Sequence, residues 1–151
     1  MIRIVTDKTV VSTSSLLDFI YEVDKDFVPS LRGRVNIEEW VVKLKDYAQL
    51  AVAYNDDKIV GLLAYYANDF QTHIAYAVYL GVSASCRKMG IATQLLQCVF
   101  ESSAKAGMQV LQLHTNSLKA KSLYEKVGFK KIGSRFIPEW NLVCYHFEYK
   151  L

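Results

Sequence analysis

The middle of the chain alternates twice between the periodicity of a strand and that of a helix. An apolar strand from about His73 to Val82 is followed by apolar residues at helical spacing that continue to Gly107. A second strand, Val110 to His114, and a second helix, Leu118 to Val127, come next. Two strands that are joined through a helix lie parallel in one sheet, with a right-handed connection. This order therefore predicts a parallel strand pair with helices packed against it.

Antiparallel hairpins flank this central segment on both sides. Before it, Leu50 to Tyr54 and Lys58 to Tyr66 are two apolar strands around an Asn-Asp-Asp turn. After it, a strand from Phe129 to Phe136 precedes one in which apolar and polar residues alternate from Val143 to Lys150. We therefore predict a mixed α/β (α+β) fold. Its central sheet is mostly antiparallel, with about six to seven strands, a parallel pair in the middle and helices on both faces.

The composition is that of a globular domain and excludes several classes of protein. The 151 residues fit one domain, 1–151, and 52% of them are hydrophobic, which excludes disorder. The net charge of +3 is too small for a nucleic-acid-binding surface, and the three cysteines form no Cys-x-x-Cys pair that would indicate a zinc site. The N-terminus lacks a signal-peptide pattern, and no apolar stretch is long enough to span a bilayer. We therefore expect a cytoplasmic protein with no metal, no nucleic-acid partner and no membrane partner.

The loop between the apolar strand and the following helix has the features of an anion-binding site. Gly90 and the small side chain of Ala92 allow the backbone to approach a ligand, and the first turn of a helix has unpaired N–H groups at the positive end of its dipole. One helix end stabilises a single charge by only about 0.3 to 1 kcal/mol, so Arg87 and Lys88 would have to contribute as well. Together these residues predict a site for a pyrophosphate.

Two segments of the chain resemble signatures of the GNAT superfamily of N-acetyltransferases. The run Arg-Lys-Met-Gly-Ile-Ala at 87–92 is similar to the Arg/Gln-x-x-Gly-x-Gly/Ala signature, by which the family holds the pyrophosphate of acetyl-CoA. Downstream, the residues from Asn116 to Phe129 are similar to a second family segment, Asn-x-x-Ala-x-x-Leu-Tyr-x-x-x-Gly-Phe. The order and separation of the two segments also fit the family, so the combination is far more specific than either segment alone.

Two positions near the first segment depart from the family. Lys88 stands where glycine is frequent, and Cys86 stands where an aromatic residue is common. Neither change removes a backbone N–H donor, so we expect an altered loop stiffness or an added phosphate contact, and not a loss of binding. The position of Cys86 is explained by wrapping of the loop around a cofactor, so we do not expect this thiol to carry an acyl group.

The resemblance covers nearly the whole chain and implies an acetyl-CoA-dependent N-acetyltransferase. A primary amine would attack the acetyl group directly in a ternary complex, without a metal ion or a covalent enzyme intermediate. By this resemblance, Tyr124 is the general acid that protonates the departing thiolate. The backbone around Leu80 and Val82 carries the pantetheine arm and the thioester carbonyl, and Asn116 helps to hold the arm. The residues implied in acetyl-CoA binding are Leu80, Gly81, Val82, Arg87, Lys88, Met89, Gly90, Ile91, Ala92, Thr93 and Asn116.

The general base is not evident from the sequence. Members of the family often use ordered water or a carboxylate on the strand before the first signature, and Ile74 to Val82 contains neither Asp nor Glu. We predict that water relayed by tyrosine side chains removes the proton from the amine. The side chains considered for this role are Asp69, His73, Tyr76, Tyr79 and His114. The alternative, if the chain lacks a competent base, is a non-catalytic acyl-CoA-binding module.

The acceptor site is expected between the N-terminal helices and the last hairpin. Of these two helices, the first is capped by one of Thr13 to Ser15 and the second by Asn36. The expected acceptor is a small-molecule or peptide amine, and strand edges near the C-terminus could pair between chains in a homodimer. Side chains that could contact an acidic, hydroxylated or aromatic acceptor, with solvent exposure or core packing as the alternative, are Phe27, Pro29, Leu31, Arg32, Arg34, Trp40 and Trp140.

Overall fold

The computed structural model of the protein describes residues 1–151 and has one mixed sheet of seven strands. The strands are β1 (Ile2–Val5), β2 (Gln49–Asn55), β3 (Lys58–Tyr66), β4 (Ile74–Val82), β5 (Val110–Thr115), β6 (Lys130–Ile137) and β7 (Leu142–Lys150). The helices are α1 (Thr13–Asp24), α2 (Ile37–Tyr47), α3 (Ile91–Lys105) and α4 (Leu118–Val127). The strand order is β1-β2-β3-β4-β5-β7-β6, and only β4 and β5 are parallel. The predicted mixed sheet with a central parallel pair is confirmed, and β6 forms one of its edges.

Side-chain caps fix the start of three of the four α-helices. Asn36 caps α2, as predicted, whereas α1 is capped by Ser12 and not by one of Thr13 to Ser15. Ser117 caps α4. The start of α3 has Gly90 at the N-cap position and no side-chain cap. Because the first N–H groups of a helix have no partner within it, α3 begins with donors that no capping side chain occupies.

The helices pack on both faces of the sheet and divide the core into two parts, as predicted. On one face, α1 and α2 cover β2, β3 and β4, and on the other face α3 and α4 pack against strands as far as β7. No residue of β5, β6 or β7 belongs to the core under α1 and α2. That face of β5, β7 and β6 therefore has no helix over it, and we call it the open half-face. None of the helices combines the length and the apolar composition needed to cross a membrane.

A β-bulge at Val78 reverses the alternation of side chains along β4. The register passes from Ala77 to Tyr79 in a single step of β3, so Val78 has no partner on that strand. Ala77 therefore faces α3 and α4, whereas Tyr79 faces α1 and α2. There the Tyr79 ring packs against Phe27 and Trp40, each at a centroid distance of 5.4 Å. The apolar sequence of β4 carries no sign of this bulge, yet the bulge decides which side chains reach each face.

β4 and β5 pair over a short stretch and then part. Their parallel pairing ends at Tyr76 and Gln112, although β4 continues to Val82 and β5 to Thr115. Beyond this pair, the facing edges of the two strands share no ladder hydrogen bonds, so their N–H and C=O groups need other partners. The helices that follow the two strands, α3 and α4, begin at the same end of the opening. We call this opening the β4–β5 cleft.

Gly61 of β3 allows α3 to approach the sheet closely. A Cβ atom at this position would lie 3.0 Å from Ile91 Cγ2 and 3.2 Å from Leu95 Cδ1. Because the buried Ile91 and Leu95 side chains would have to shift, we expect Gly61→Ala to lower the free energy of unfolding by about 1 to 3 kcal/mol. Urea denaturation measures this change. Gly133→Ala is the matched control, since a Cβ there meets only His146 Cβ, at 4.0 Å, and equal losses in both variants would contradict the packing argument.

Candidate active site

The start of α3 is open to an approaching anion. Gly90 adopts a left-handed φ of +77°, and a Cβ atom there would meet no other atom within 4 Å. The first turn of α3 contains no acidic residue, and its N–H groups, from Ile91 to Thr93, have no partner within the helix. Free N–H groups at the positive end of a helix dipole favour an anion such as a phosphate. The geometry therefore fits the pyrophosphate site that the sequence predicts.

Lys88 precedes this turn, and its backbone is also in the left-handed region, with a φ of +67°. Glycine adopts this conformation freely, whereas other residues pay about 1 to 2 kcal/mol for it. This cost gives a physical reason for the glycine that is frequent at this position of the signature. The side chains of Lys88 and Met89 are both exposed. Lys88 therefore keeps a glycine-like backbone and adds an exposed positive charge to the loop.

Arg87 links the loop to the end of α1. Its Nη2 donates to Asp26 Oδ2 at 2.8 Å, and its Nε donates to the backbone carbonyl of Val82 at 3.3 Å. Because Asp26 balances part of the guanidinium charge, Arg87 contributes less net charge to an anion at α3 than its sequence position suggests. Its direct contact with a pyrophosphate stays a prediction. Cys86 is 5% exposed in the core under α3, and the absence of an acyl group on this thiol stays a prediction.

Leu80, Gly81 and Val82 form one wall of the β4–β5 cleft. They pair with β3 on one side, and on the other side they have no partner strand. A Cβ atom on Gly81 would lie 3.0 Å from the Tyr79 hydroxyl oxygen, so the absence of a side chain at Gly81 makes room for that ring. This wall is a stretch of backbone donors and acceptors with which an extended amide chain can pair.

Tyr124 projects from α4 into the core on the other face of the sheet. It belongs to the same buried cluster as Ala77 of β4 and Leu113 of β5. Its side chain is 6% exposed, and its ring packs against Phe129 and Phe147 at centroid distances of 5.3 and 6.0 Å. Burial raises the pKa of the Tyr124 hydroxyl above its usual value of 10.0. The phenol is therefore protonated at physiological pH and has a proton to donate.

A chain of polar side chains crosses the open half-face at the point where β4 and β5 part. The Tyr76 hydroxyl of β4 is hydrogen-bonded to His114 Nδ1 of β5. The His114 ring stacks on that of His146 from β7, with centroids 4.0 Å apart and planes inclined by 13°. His146 Nε2 donates to Gln112 Oε1 at 3.2 Å, and Gln112 Nε2 donates to Glu148 Oε2 at 2.8 Å. Packing and hydrogen bonds therefore hold Tyr76 and His114 together across the start of the cleft.

Both members of this pair are uncharged at neutral pH. Burial lowers the pKa of His114 below its usual value of 6.5, and the charges of His146 and Arg135 lower it further. Burial also raises the pKa of the Tyr76 hydroxyl above 10.0. A neutral imidazole has one nitrogen that can accept a proton. His114 with Tyr76 thus has the charge state that a general base requires.

None of the other three candidates for the base is hydrogen-bonded to Tyr76 or His114. Tyr79 is 7% exposed under α1 and α2, and its hydroxyl has no hydrogen-bond partner. Asp69 accepts backbone hydrogen bonds in the turn before β4. His73 Nδ1 lies 3.1 Å from the carbonyl oxygen of Gly107, at the end of β4 that is remote from the start of α3. The structure thus brings Tyr76 and His114 together and separates them from the rest of the set.

Sequence reasoning missed His146, Gln112 and Glu148. The alternation along the last strand placed His146 and Glu148 on one face, but it did not indicate which strand lies beside them. In the structure β7 pairs with β5, so His146 lies opposite His114 and Glu148 lies opposite Gln112. The available signal was a matched polar pattern, since each of the two strands carries a histidine two residues away from an amide or a carboxylate.

Asn116 stands just before α4 and does not cap it. The capping residue is Ser117, whose hydroxyl accepts a hydrogen bond from the N–H of Ala120 at 3.2 Å. Asn116 precedes Ala120 by four residues, whereas the second family segment has a spacing of three, so Ser117 occupies the matching position. Asn116 is half-buried beyond the end of β5, at the mouth of the cleft. Its contact with a cofactor arm stays a prediction.

Comparisons with known proteins agree with this geometry. The family model of the acetyltransferase (GNAT) domain matches residues 46–131, a range that contains β4, the start of α3 and Tyr124. Human N-acetyltransferase 8 is 32% identical over 101 residues, which are 63% of this chain and 44% of that protein. This chain therefore spans less than half the length of that relative.

Two solved structures show the same fold. Arabidopsis thaliana NAA60, in complex with a bisubstrate analogue, superposes with a TM-score of 0.79 at 18% identity, over 99% of this chain and 98% of that chain. An aminoglycoside 6'-N-acetyltransferase complexed with coenzyme A superposes with a TM-score of 0.77 at 17% identity, over 99% of this chain and 96% of that chain. At this level of sequence identity, the similarity shows a shared fold and nothing about the substrate.

Proposed function

This chain belongs to the acetyltransferase (GNAT) domain family, and on that premise we propose that it transfers the acetyl group of acetyl-CoA to a primary amine by direct attack in a ternary complex. The observation that carries the proposal is the β4–β5 cleft. Tyr124 lies on the α3 and α4 side of the sheet, and Tyr76 with His114 lies on the open half-face. In this proposal Tyr124 is the acid on one side of the sheet and His114 with Tyr76 is the base on the other, which suits a transfer in which both substrates are bound together.

Acetyl-CoA fits the surfaces described along β4 and at the start of α3. It supplies an acetyl group that is activated as a thioester. The free N–H groups from Ile91 to Thr93, with Lys88 beside them, suit its pyrophosphate. The backbone from Leu80 to Val82 has no partner strand on its cleft side, and this edge suits the amide groups of the pantetheine arm, with the Val82 carbonyl already accepting from Arg87. A backbone N–H on this wall would also stabilise the negative charge that develops on the carbonyl oxygen during attack.

His114, with Tyr76 bound to its ring, acts as the general base in this proposal. A lysine-like amine has a pKa near 10.4, so removing its proton at pH 7 costs about 4 to 5 kcal/mol. Neutral His114 takes this proton, directly or through one water molecule, and the imidazolium then returns it to solvent. The missing carboxylate on β4 is thereby replaced by a histidine from the neighbouring strand.

Tyr124 acts as the general acid when the thioester bond breaks. The amine nitrogen forms a bond to the acetyl carbon, the bond between that carbon and the sulfur breaks, and the Tyr124 hydroxyl gives its proton to the thiolate. A buried site raises the pKa of a thiol as well as that of a phenol, so the thiolate remains a strong enough base to take the proton. Burial disfavours the charged phenolate of Tyr124, so solvent then reprotonates it.

A thiol-release assay with acetyl-CoA and a panel of primary amines tests the proposed function. We expect release of coenzyme A that depends on the amine, together with a product whose mass is increased by one acetyl group. Calorimetry with coenzyme A is run in parallel. Binding of coenzyme A without release on any amine would favour the non-catalytic acyl-CoA-binding module, and absence of binding would overturn both functions.

A further inference from the structure

Arginines from two parts of the chain border the open half-face. Arg34 lies in the connection between α1 and α2, and Arg135 lies on β6. The Arg34 guanidinium packs over the Trp140 ring at a distance of 5.6 Å from its centroid. Trp140 belongs to the turn between β6 and β7, so this contact joins the α1–α2 connection to the hairpin that carries Arg135. The contact thus brings Arg34 to the hairpin that carries Arg135.

Arg135 shares the open half-face with the proposed base. Arg135 pairs with Cys144 across β6 and β7, and His146 is two residues further along β7. Paired residues on neighbouring strands share a face, and so do residues two apart on one strand. His146 in turn stacks on His114. The Arg135 charge acts on the pKa of His114, which agrees with this placement.

Neither Arg34 nor Arg135 has a carboxylate partner. The ion pairs of the structure are Met1–Asp56, Lys58–Glu22, Arg87–Asp26 and Lys121–Glu125. The Glu148 carboxylate on the half-face already accepts from Gln112. Glu139, in the β6–β7 turn, is the exposed carboxylate of this border. Neither guanidinium group is therefore occupied by an ion pair, and both can bind an anionic group of a ligand.

We propose that the acceptor of this enzyme carries an anionic group, a carboxylate or a phosphate, beside its primary amine, and that Arg135 and Arg34 bind this group while the amine faces His114. This inference rests on the proposed function. The planar guanidinium donates two parallel N–H groups, a geometry that matches the paired oxygens of either anion. Packing against Trp140 holds Arg34 in place before binding, which reduces the conformational entropy lost when the acceptor arrives.

The same charges select against polycations. Guanidinium groups at the mouth of a site raise the local concentration of anionic acceptors and repel acceptors with several ammonium groups. An aminoglycoside, which carries several amines, should therefore be a poor acceptor. The fold alone does not separate these classes, because a solved structure with the same architecture is an aminoglycoside acetyltransferase.

Matched acceptor pairs test this inference. Phenylalanine differs from phenethylamine by a carboxylate, and phosphoethanolamine differs from ethanolamine by a phosphate. We expect kcat/KM to be about tenfold or more higher for the anionic member of at least one pair, because a charge-assisted hydrogen bond is strong. Added salt should reduce the difference in kcat/KM between the two members of a pair, because it screens the charges. Kanamycin serves as the polycationic acceptor and should be the poorest. The pair with the larger ratio of kcat/KM between its anionic and neutral members identifies the anion as a carboxylate or a phosphate.

Arginine variants test whether the preference for anionic acceptors depends on the two arginines of the open half-face. Arg135→Gln and Arg34→Gln should each reduce the anionic preference about tenfold, and Arg135→Lys should retain part of it. Arg3→Gln is the matched control, because Arg3 also packs over a ring, that of Tyr54 at 4.6 Å, and lies on β1 at the opposite edge of the sheet. Arg3→Gln should keep the full preference. The melting temperature of each variant confirms that it is folded.

The outcomes separate this inference from the proposed function. Acetylation of amines with equal kcat/KM within each pair would overturn the anionic acceptor and leave the acetyltransferase function standing. A preference that survives in both Arg135→Gln and Arg34→Gln would also overturn it. No acetylation of any amine would overturn both, whereas loss of the preference in the folded Arg34→Gln variant would support it even if Arg135→Gln failed to fold.

Discussion

Replacing Tyr124 by phenylalanine is expected to lower kcat by about 10²- to 10⁴-fold, the range that a positioned proton donor supplies. The Kd for acetyl-CoA should change little. Phenylalanine keeps the ring packing against Phe129 and Phe147 and removes only the hydroxyl group. Single-turnover kinetics measure the chemical step, and calorimetry measures the affinity.

Tyr79→Phe is the matched control for this prediction. It makes the same chemical change at another buried tyrosine, on the opposite face of the sheet. The Tyr79 hydroxyl has no hydrogen-bond partner, so its removal costs no bond and should leave both stability and kcat unchanged. Equal losses of kcat and of acetyl-CoA affinity in Tyr124→Phe would show that the hydroxyl contributes to binding and not to proton transfer.

Replacing His114 by glutamine is expected to lower kcat/KM at neutral pH by about 10²-fold or more. In the unmodified enzyme, activity should fall as the pH drops through the pKa of His114, which burial and neighbouring charges hold below 6.5. The base is effective only in its neutral form, so this loss lies on the acid side. The pH profile of the His114→Gln variant should not show this fall in activity at acid pH, which we call the acid limb. Its deficit should shrink as the pH approaches the pKa of the acceptor amine, near 10.4, since free amine then needs no base.

Two further histidines are controls for the pH profile. His73→Gln changes a histidine at the remote end of β4 and should keep both rate and profile. His146→Phe keeps an aromatic ring beside His114 but removes a charge that lowers the pKa of His114, so the acid limb should move to higher pH. A deficit in His114→Gln that is the same at every pH would indicate a structural role for His114.

The fold could be predicted from the sequence in most of its elements. Hairpins around short polar turns, the strand–helix–strand–helix order and the glycines at helix ends are all local patterns, and the structure contains each of them. The cap of α1 was misplaced because several serines compete for the position, and Ser12 is the one whose hydroxyl reaches the first turn. The bulge at Val78 was not predictable, since it is a property of the pairing between β3 and β4 and leaves no pattern in the apolar sequence of β4.

Some residues of the candidate site could be identified from local sequence, and others only from contacts between strands that are distant in the chain. Gly90 and the first turn of α3 leave N–H groups free that suit an anion, and this follows from backbone angles that depend on neighbouring residues. Tyr124 was identified by a segment that is continuous in the chain. The base was left open, because His114 becomes a candidate only when Tyr76 binds its ring and His146 stacks on it, from strands far apart in sequence.

Capping, helical periodicity and the need for a positive φ act between residues a few positions apart. The sequence alone therefore indicated the helix α3 and the uncapped N–H groups at its start. The folded sheet settled everything that depends on which strands become neighbours. By inserting β7 between β5 and β6, it brought His146 to His114 and placed Arg135 on the same face. Strand order is decided by burial summed over both faces of the sheet, and no single segment of the chain carries that sum.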